Sequence, residues 1–167
     1  MSLIAQVQAP DVDLVRLSPL IALVVGANVV LLAGLLRGAG VQRVLVPLLA
    51  ALTLIVAAAL SIAIWEPGDV EPLVESALAA DTLALSMSLL FYLAGLATIA
   101  LSLRSSAVRE AGAGEYYTLL LASIVGMVVL AAAENLITLF VGLELLSIPL
   151  YVLCGSCLLY TSPSPRD

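Results

Sequence analysis

The sequence predicts an all-α protein, a polytopic bundle of five transmembrane helices. Of the 167 residues, 63% are hydrophobic and only 11% are charged, and the mean hydropathy is +1.21. A soluble domain is typically about 45–50% apolar and about 25% charged. The apolar residues fall into five runs of span length, and backbone amides in hydrocarbon must be hydrogen-bonded within their own segment, so these runs should form helices.

Composition also excludes several kinds of site. The chain has no histidine, so haem ligation and histidine-based zinc sites are not available. Cys154 and Cys157 form a C-x-x-C pair without further cysteines or histidines, and they stand at the end of a span; we interpret the pair as coincidental and predict no metal site. The pI of about 4.4 and the absence of a basic patch predict no nucleic-acid partner.

The first two spans follow an acidic N-terminus. Residues 1–16 lack the positive segment of a signal peptide and are predicted to form an external N-terminus. Residues 17–36 are the first predicted span, retained as a transmembrane helix. After a short glycine-containing turn, residues 41–65 form the second, with Trp65 as an interfacial anchor.

Residues 66–81 form the longest polar connection and contain five acidic residues. Pro67, Gly68 and Pro72 are expected to interrupt regular structure there. The sequence favours a solvated loop, and the alternative is a vestibule that collects cations.

Three further spans complete the predicted bundle. Residues 82–103 form the third, and a glycine-rich turn at 111–114 leads to the fourth at 116–133. A two-residue hinge, Glu134-Asn135, precedes the fifth, at 136–154. The glycines and many alanines of these spans are expected to let the helices approach closely.

Arginine placement predicts the orientation, because cytoplasmic loops are enriched in positive charge. The connections after spans one and three hold four arginines, whereas the N-terminus, the acidic loop and the hinge hold one: Arg37, Arg43, Arg104 and Arg109 against Arg16. We therefore expect the N-terminus and the acidic loop outside, and the end of span five in the cytoplasm.

The last residues differ in character from the rest of the chain. Residues 156–167 have two prolines and no helical period, and they resemble translated adapter sequence of the kind found at the ends of metagenomic gene fragments. We expect this tail to be non-native and exclude it from the fold. The alternative is a genuine polar C-terminal tail.

Glu144 is the candidate functional residue. It lies eight residues into span five, about 12 Å along the helix and near the middle of a core of about 30 Å. Ser147 and Tyr151 follow at i+3 and i+7 and are predicted to share its face as a supporting polar stripe. Pro149 frees the carbonyl of Leu145, which favours a bend or a bound water.

An acid at this depth costs about 2.5–3.5 kcal/mol to insert, so a function is expected. Burial favours the protonated carboxyl and a nearby cation favours the carboxylate, so a group between these influences can act as a proton relay. The alternative is a structural role, in which Glu144 forms a hydrogen bond with a neighbouring helix. No cationic partner for Glu144 is expected within the five spans, because every arginine flanks a loop.

The end of the chain closely resembles a known family. Segments 134–140 (ENLITLF) and 142–153 (GLELLSIPLYVL) resemble subunit N of the proton-pumping NADH-quinone oxidoreductase, complex I. Segments 115–121 (EYYTLLL) and 18–20 (SPL) fit the same family, and the resemblance extends over residues 1–155. The related subunits M and L and the Mrp antiporter subunits share the intramembrane glutamate, but the LSIPLY run favours subunit N.

The resemblance implies a fold of about fourteen helices with two inverted five-helix repeats. Residues 17–103 would then form three peripheral helices, and residues 115–155 the first two helices of one repeat. Glu144 would be the channel glutamate, coupled to a lysine on a later helix, and the fragment alone would be inactive.

The resemblance also implies the cellular setting. NADH, FMN, iron–sulfur clusters and quinone would be bound by other subunits, and this chain would bind no cofactor. Its partners would be the lipid bilayer and the other membrane subunits of complex I, in a bacterial inner membrane. The alternatives are a subunit of a cation/proton antiporter or membrane-bound hydrogenase, and a non-transporting membrane scaffold.

Overall fold

The computed structural model describes residues 13–36, 38, 40–65, 71–74, 77–103, 108 and 112–159. Within these ranges the chain forms five long α-helices joined by short connections. They are α1 Ser18–Gly34, α2 Val46–Ala63, α3 Thr82–Ser102, α4 Ala113–Ala131 and α5 Leu136–Leu159.

The predicted helical membrane fold is confirmed. Four helices in the described part are long and apolar enough to cross a membrane, with α2 counted from Val41 and α5 counted to Gly155. The first helix, α1, is also apolar and has 17 residues, the short end of the range of about 17–25 residues that spans a bilayer. The arginine turns, the N-terminus before Asp13 and the residues after Leu159 lie largely outside the described residues.

A π-helical turn, Val41–Leu45, precedes α2. Pro47 has no N–H to donate to the carbonyl of Arg43 four residues earlier, so the regular α pattern cannot pass through this point. The chain instead makes a wider turn, in which the Val46 N–H bonds to the Val41 carbonyl.

The acidic connection contains a β-hairpin, which corrects the expectation of a loop without regular structure. Strand β1, Glu71–Val74, pairs antiparallel with β2, Leu78–Ala80. Pro72 lies within β1, where a two-stranded sheet leaves one edge free and a missing N–H is tolerated. Asp81 then caps α3, since its Oδ1 accepts a hydrogen bond from the Ala84 N–H at 2.6 Å.

Helix α4 is the centre of the bundle and packs against the other four helices. The core consists of fully buried side chains from α1 to α4, namely Leu23, Val30, Leu54, Tyr92, Leu121 and Ile124. The α1–α4 crossing is closest at two facing glycines: a Cβ on Gly114 would lie only 2.6 Å from the Gly34 Cα. Small residues thus allow the close approach expected of membrane helices.

Helix α5 continues to Leu159, beyond its predicted end at Cys154. The first four residues of the tail that the sequence analysis excluded from the fold are therefore helical. The reason is local: no proline occurs between Pro149 and Pro163. A glycine such as Gly155 only weakens a helix, by about 1 kcal/mol, and does not end it.

Candidate functional site

The start of the helix that carries Glu144 is held by its own cap. The Thr138 N–H donates to Asn135 Oδ1 at 2.7 Å, and the Leu139 N–H donates to the Asn135 carbonyl at 2.9 Å. The predicted hinge at Glu134-Asn135 is thus confirmed as the N-terminal boundary of α5.

The β-hairpin holds the same hinge from the other side. The Ala79 N–H donates to the Ala132 carbonyl at 2.9 Å, and the Glu134 N–H donates to the Ala77 carbonyl at 3.1 Å. The hinge backbone therefore extends the small sheet, with Leu78 bridged antiparallel to Ala133. Because of these bonds, the acidic connection and the start of α5 form one hydrogen-bonded unit.

Two glycines bring α5 against α4. A Cβ on Gly126 of α4 would lie 2.6 Å from the carbonyl carbon of Leu145 and 2.8 Å from the Leu146 Cα. A Cβ on Gly142 of α5 would lie 2.9 Å from the Leu130 backbone nitrogen. The two helices thus meet backbone to backbone over about half a helical turn on either side of position 144.

Glu144 lies on the opposite side of α5 from this contact. It is two residues from Gly142, which is about 200° around the helix, and its side chain is exposed in the bundle. Its neighbours on this side are exposed apolar residues, among them Leu143 and Ile148. Among the described residues Glu144 makes no ion pair or hydrogen bond.

Ser147 and Tyr151 extend the same side of the helix, as their spacing predicts. Tyr151 is 73% exposed, while Ser147 is half-buried and donates its hydroxyl to the Leu143 carbonyl one turn back. Neither side chain hydrogen-bonds to Glu144 in the part of the chain that the structure describes. Pro149 is buried, so the proline lies on the packed side and the carboxylate on the open side.

A cleft beside this helix includes polar residues that the sequence reasoning missed. It has a volume of about 230 Å³ and lies between α1, α4 and Leu145, the residue after Glu144. Asn28 and Thr118 line it, and Thr118 Oγ1 is buried without a hydrogen-bond partner in the described structure. Their only signal in the sequence is a polar residue inside an apolar run.

No family model matches the chain. Curated relatives do match it over most of its length. It is 36% identical to NADH-quinone oxidoreductase subunit N 2 of Rhizobium meliloti over 137 residues, which cover 82% of this chain and 28% of the relative. It is 36% identical to NADH-quinone oxidoreductase subunit N of Chloroflexus aggregans over 146 residues, which cover 87% of this chain and 29% of the relative.

A third match, to NADH-quinone oxidoreductase subunit N 2 of Roseiflexus castenholzii, is 36% identical and covers 90% of this chain and 30% of the relative. The chain belongs to the NADH-quinone oxidoreductase subunit N family. This membership confirms the resemblance that the runs around Glu144 indicated. The chain spans less than a third of the length of the subunit N relatives it matches.

Among the described residues, no three side chains of the His, Cys, Asp or Glu type lie together as a ligand group. Cys154 is exposed on α5 with a free thiol. The chemistry that the described residues offer is therefore a lone carboxyl group with nearby hydroxyls.

Proposed function

We propose that this chain is part of a membrane subunit of NADH-quinone oxidoreductase that couples quinone reduction to proton translocation, with Glu144 as an intramembrane proton relay. NADH, FMN, the iron–sulfur clusters and quinone would be bound by other subunits. The partners would be the other membrane subunits of the complex and the lipid bilayer. Family membership supports the complex, and the position of Glu144 supports the relay.

The observation that carries the relay is a single carboxyl group on the open side of a membrane helix. A charged acid at this depth costs about 2.5–3.5 kcal/mol to insert, and an unpaired one is rare without a function. Within the described bundle no cation forms an ion pair with Glu144 to offset this cost. Carboxyl groups inside membrane helices commonly serve as proton relays.

The contacts that hold α5 in the bundle also support the proposed relay role of Glu144. The cap at Asn135, the hairpin bonds and the glycine contacts with α4 all act on the packed side or at the start of the helix. None of them engages Glu144. These contacts hold the backbone of α5 and leave the Glu144 side chain exposed.

The test is proton translocation by the full-length protein, in its complex, with Glu144→Gln. Glutamine keeps the size and polarity of the side chain but cannot carry the proton. We expect coupled proton translocation to fall by about tenfold or more, since proton transfer by a positioned side chain contributes about 10²–10⁴-fold. The matched control is Glu134→Gln, an exposed acid at the hinge, which should pump at the normal rate.

Pumping at the normal coupling ratio with Glu144→Gln would overturn the relay. The same side chain could instead dock a helix of a partner, because it is the single acid on an exposed apolar face of α5. In that second case Glu144→Ala would impair assembly of the complex, whereas assembled complexes would pump normally. A subunit of a cation/proton antiporter or membrane-bound hydrogenase finds no support in the names of the relatives above.

The proposed setting is a bacterial inner membrane. Four helices in the described part can cross a bilayer. The arginine asymmetry of the sequence supports a topology with the N-terminus, the hairpin and the hinge outside.

A further inference from the structure

A small cavity lies inside the bundle, away from Glu144, where α1 to α4 meet beneath the hairpin. Its volume is about 40 Å³. Most of its lining is apolar, but Arg16 and three hydroxyl-bearing side chains also line it, namely Ser61 of α2 and Ser88 and Tyr92 of α3. Polar groups are thus concentrated at one point of an otherwise apolar core.

Two of these hydroxyls lack a partner. Ser61 and Tyr92 are each 1% exposed, and neither Ser61 Oγ nor Tyr92 Oη makes a hydrogen bond with any part of the protein that the structure describes. Ser61 and Ser88 nevertheless lie close enough to influence the phenol hydroxyl. An unsatisfied buried hydroxyl is unfavourable and rare in native proteins, and two beside one cavity call for a shared partner.

The third hydroxyl can contribute an acceptor. Ser88 is buried and donates its hydroxyl to the Ala84 carbonyl at 2.7 Å. Its oxygen keeps lone pairs that can accept a further hydrogen bond. Three hydroxyl groups therefore line the cavity, and a buried water typically makes about three hydrogen bonds.

The size of the cavity decides which ligand fits. A water molecule occupies about 30 Å³ in the liquid, and a cavity of about 10–15 Å³ accessible to a water-sized probe already holds one. Pockets for organic ligands are about 300–1,000 Å³. At about 40 Å³ the cavity has room for at least one water and is far smaller than a pocket for an organic ligand.

We propose that this cavity binds one structural water that bridges Tyr92 Oη and Ser61 Oγ and donates to Ser88 Oγ. The water joins α2 to α3 through these hydroxyls. Leu78 and Ala79 of β2 line the same cavity, and β2 is held by its bond to the Ala132 carbonyl. The hairpin therefore covers the bound water at one end of the bundle.

The variant Tyr92→Phe tests whether the water is present, because its Tm should change in opposite directions in the two cases. Phenylalanine keeps the ring but removes the hydroxyl, so a bridging water loses one of its partners. With the water present, the Tm of the full-length protein in nanodiscs should fall by about 2–4 °C. In a dry cavity the substitution removes an unsatisfied hydroxyl, and the Tm should rise.

Tyr117→Phe is the matched control. Tyr117 is also buried, at 2% exposure, and its hydroxyl bonds directly to Ser102 Oγ at 2.9 Å. Its loss should lower the Tm whatever the cavity contains. A fall with both variants supports the water, whereas a fall with Tyr117→Phe and a rise with Tyr92→Phe overturns it.

A high-resolution map of the unmodified full-length protein gives a second measurement that needs no variant. One spherical density within hydrogen-bond distance of Tyr92 Oη and Ser61 Oγ is expected. A cavity without density, or density larger than a single water, would refute the assignment. Ser61→Val should remove the density and lower the Tm, while in a dry cavity the added methyl would fill apolar space and raise it.

Discussion

The contact between α4 and α5 at Gly126 should not tolerate a single added methyl group. A Cβ at this position would lie 2.6 Å from the Leu145 carbonyl carbon and 2.8 Å from the Leu146 Cα, whereas ordinary contact begins at 3.4 Å. The helices must therefore separate by about 0.8 Å, and the atoms in the way are backbone atoms that cannot rotate aside. Overpacking of this kind costs about 1–3 kcal/mol.

Against this cost stands the better helix propensity of alanine, which favours Gly126→Ala by about 1 kcal/mol. Because the clash is with rigid backbone, we expect the upper part of the overpacking range. The net destabilisation is then about 1–2 kcal/mol, which corresponds to a fall in Tm of about 2–8 °C for a chain of this size and to a smaller fall for the longer full-length protein. Thermal unfolding of the full-length protein in nanodiscs measures it.

Gly155→Ala is the matched control, because it lies on α5 and a Cβ there meets nothing within 4 Å. Only the propensity gain remains, so its Tm should stay the same or rise. The reasoning fails if Gly126→Ala is as stable as the unmodified protein, or if both variants shift the Tm equally. In either case the α4–α5 contact would not depend on the absence of a side chain at this point.

Two further predictions concern the ends of the helices. Asn135→Ala removes the acceptor for the Thr138 N–H and should lower the unfolding free energy by about 1 kcal/mol, measured by thermal unfolding; an unchanged Tm would mean that the cap is not needed. For topology, an impermeant maleimide added to intact spheroplasts should label a cysteine at Glu134→Cys but not at Gly40→Cys, both in a background without the native cysteines. The reverse labelling would invert the proposed orientation.

The helix positions were predictable because hydrocarbon leaves the backbone few choices. The third span, predicted at 82–103, is observed at Thr82–Ser102, and the hinge before α5 was placed correctly. These boundaries coincide with polar residues that accept backbone hydrogen bonds, such as Asp81 and Asn135. Where a polar residue in the sequence caps the start of a helix, the predicted and observed boundaries agree.

The hairpin and the extension of α5 were missed because no polar residue or hydrophobic pattern in the sequence marks their boundaries. A segment with acids, prolines and a glycine resembles a loop whether or not its backbone forms hydrogen bonds. Besides β1, strand β2 and Ala77 bond to residues 132–134 just before α5, which lie more than 50 residues away in the sequence. The end of α5 was drawn where the hydrophobic span ends, but a helix stops only where its hydrogen bonds stop. Length in hydrocarbon predicts spans and does not predict helix ends.

The position of Glu144 within an apolar helix was predictable from the sequence, but the direction that its side chain faces was not. A carboxyl in an apolar run is visible in any sequence, and the spacing of Ser147 and Tyr151 places them on its side of the helix. The side of α5 that packs against α4 is set by the close contacts at Gly142 and Gly126. These contacts are visible only when the two helices are seen packed together. The buried hydroxyls of Ser61 and Tyr92 likewise come together only through the packing of α2 on α3.

The two polar features of the bundle illustrate different answers to the same physical problem. Ser61 and Tyr92 face inward, where one water can satisfy two neutral hydroxyls. Glu144 faces outward, where no group of the described bundle forms an ion pair with it. Glu144→Gln removes the group that would carry the proton in the proposed relay and keeps the size and polarity of the side chain. Loss of coupled pumping with intact assembly is therefore the result that the relay requires.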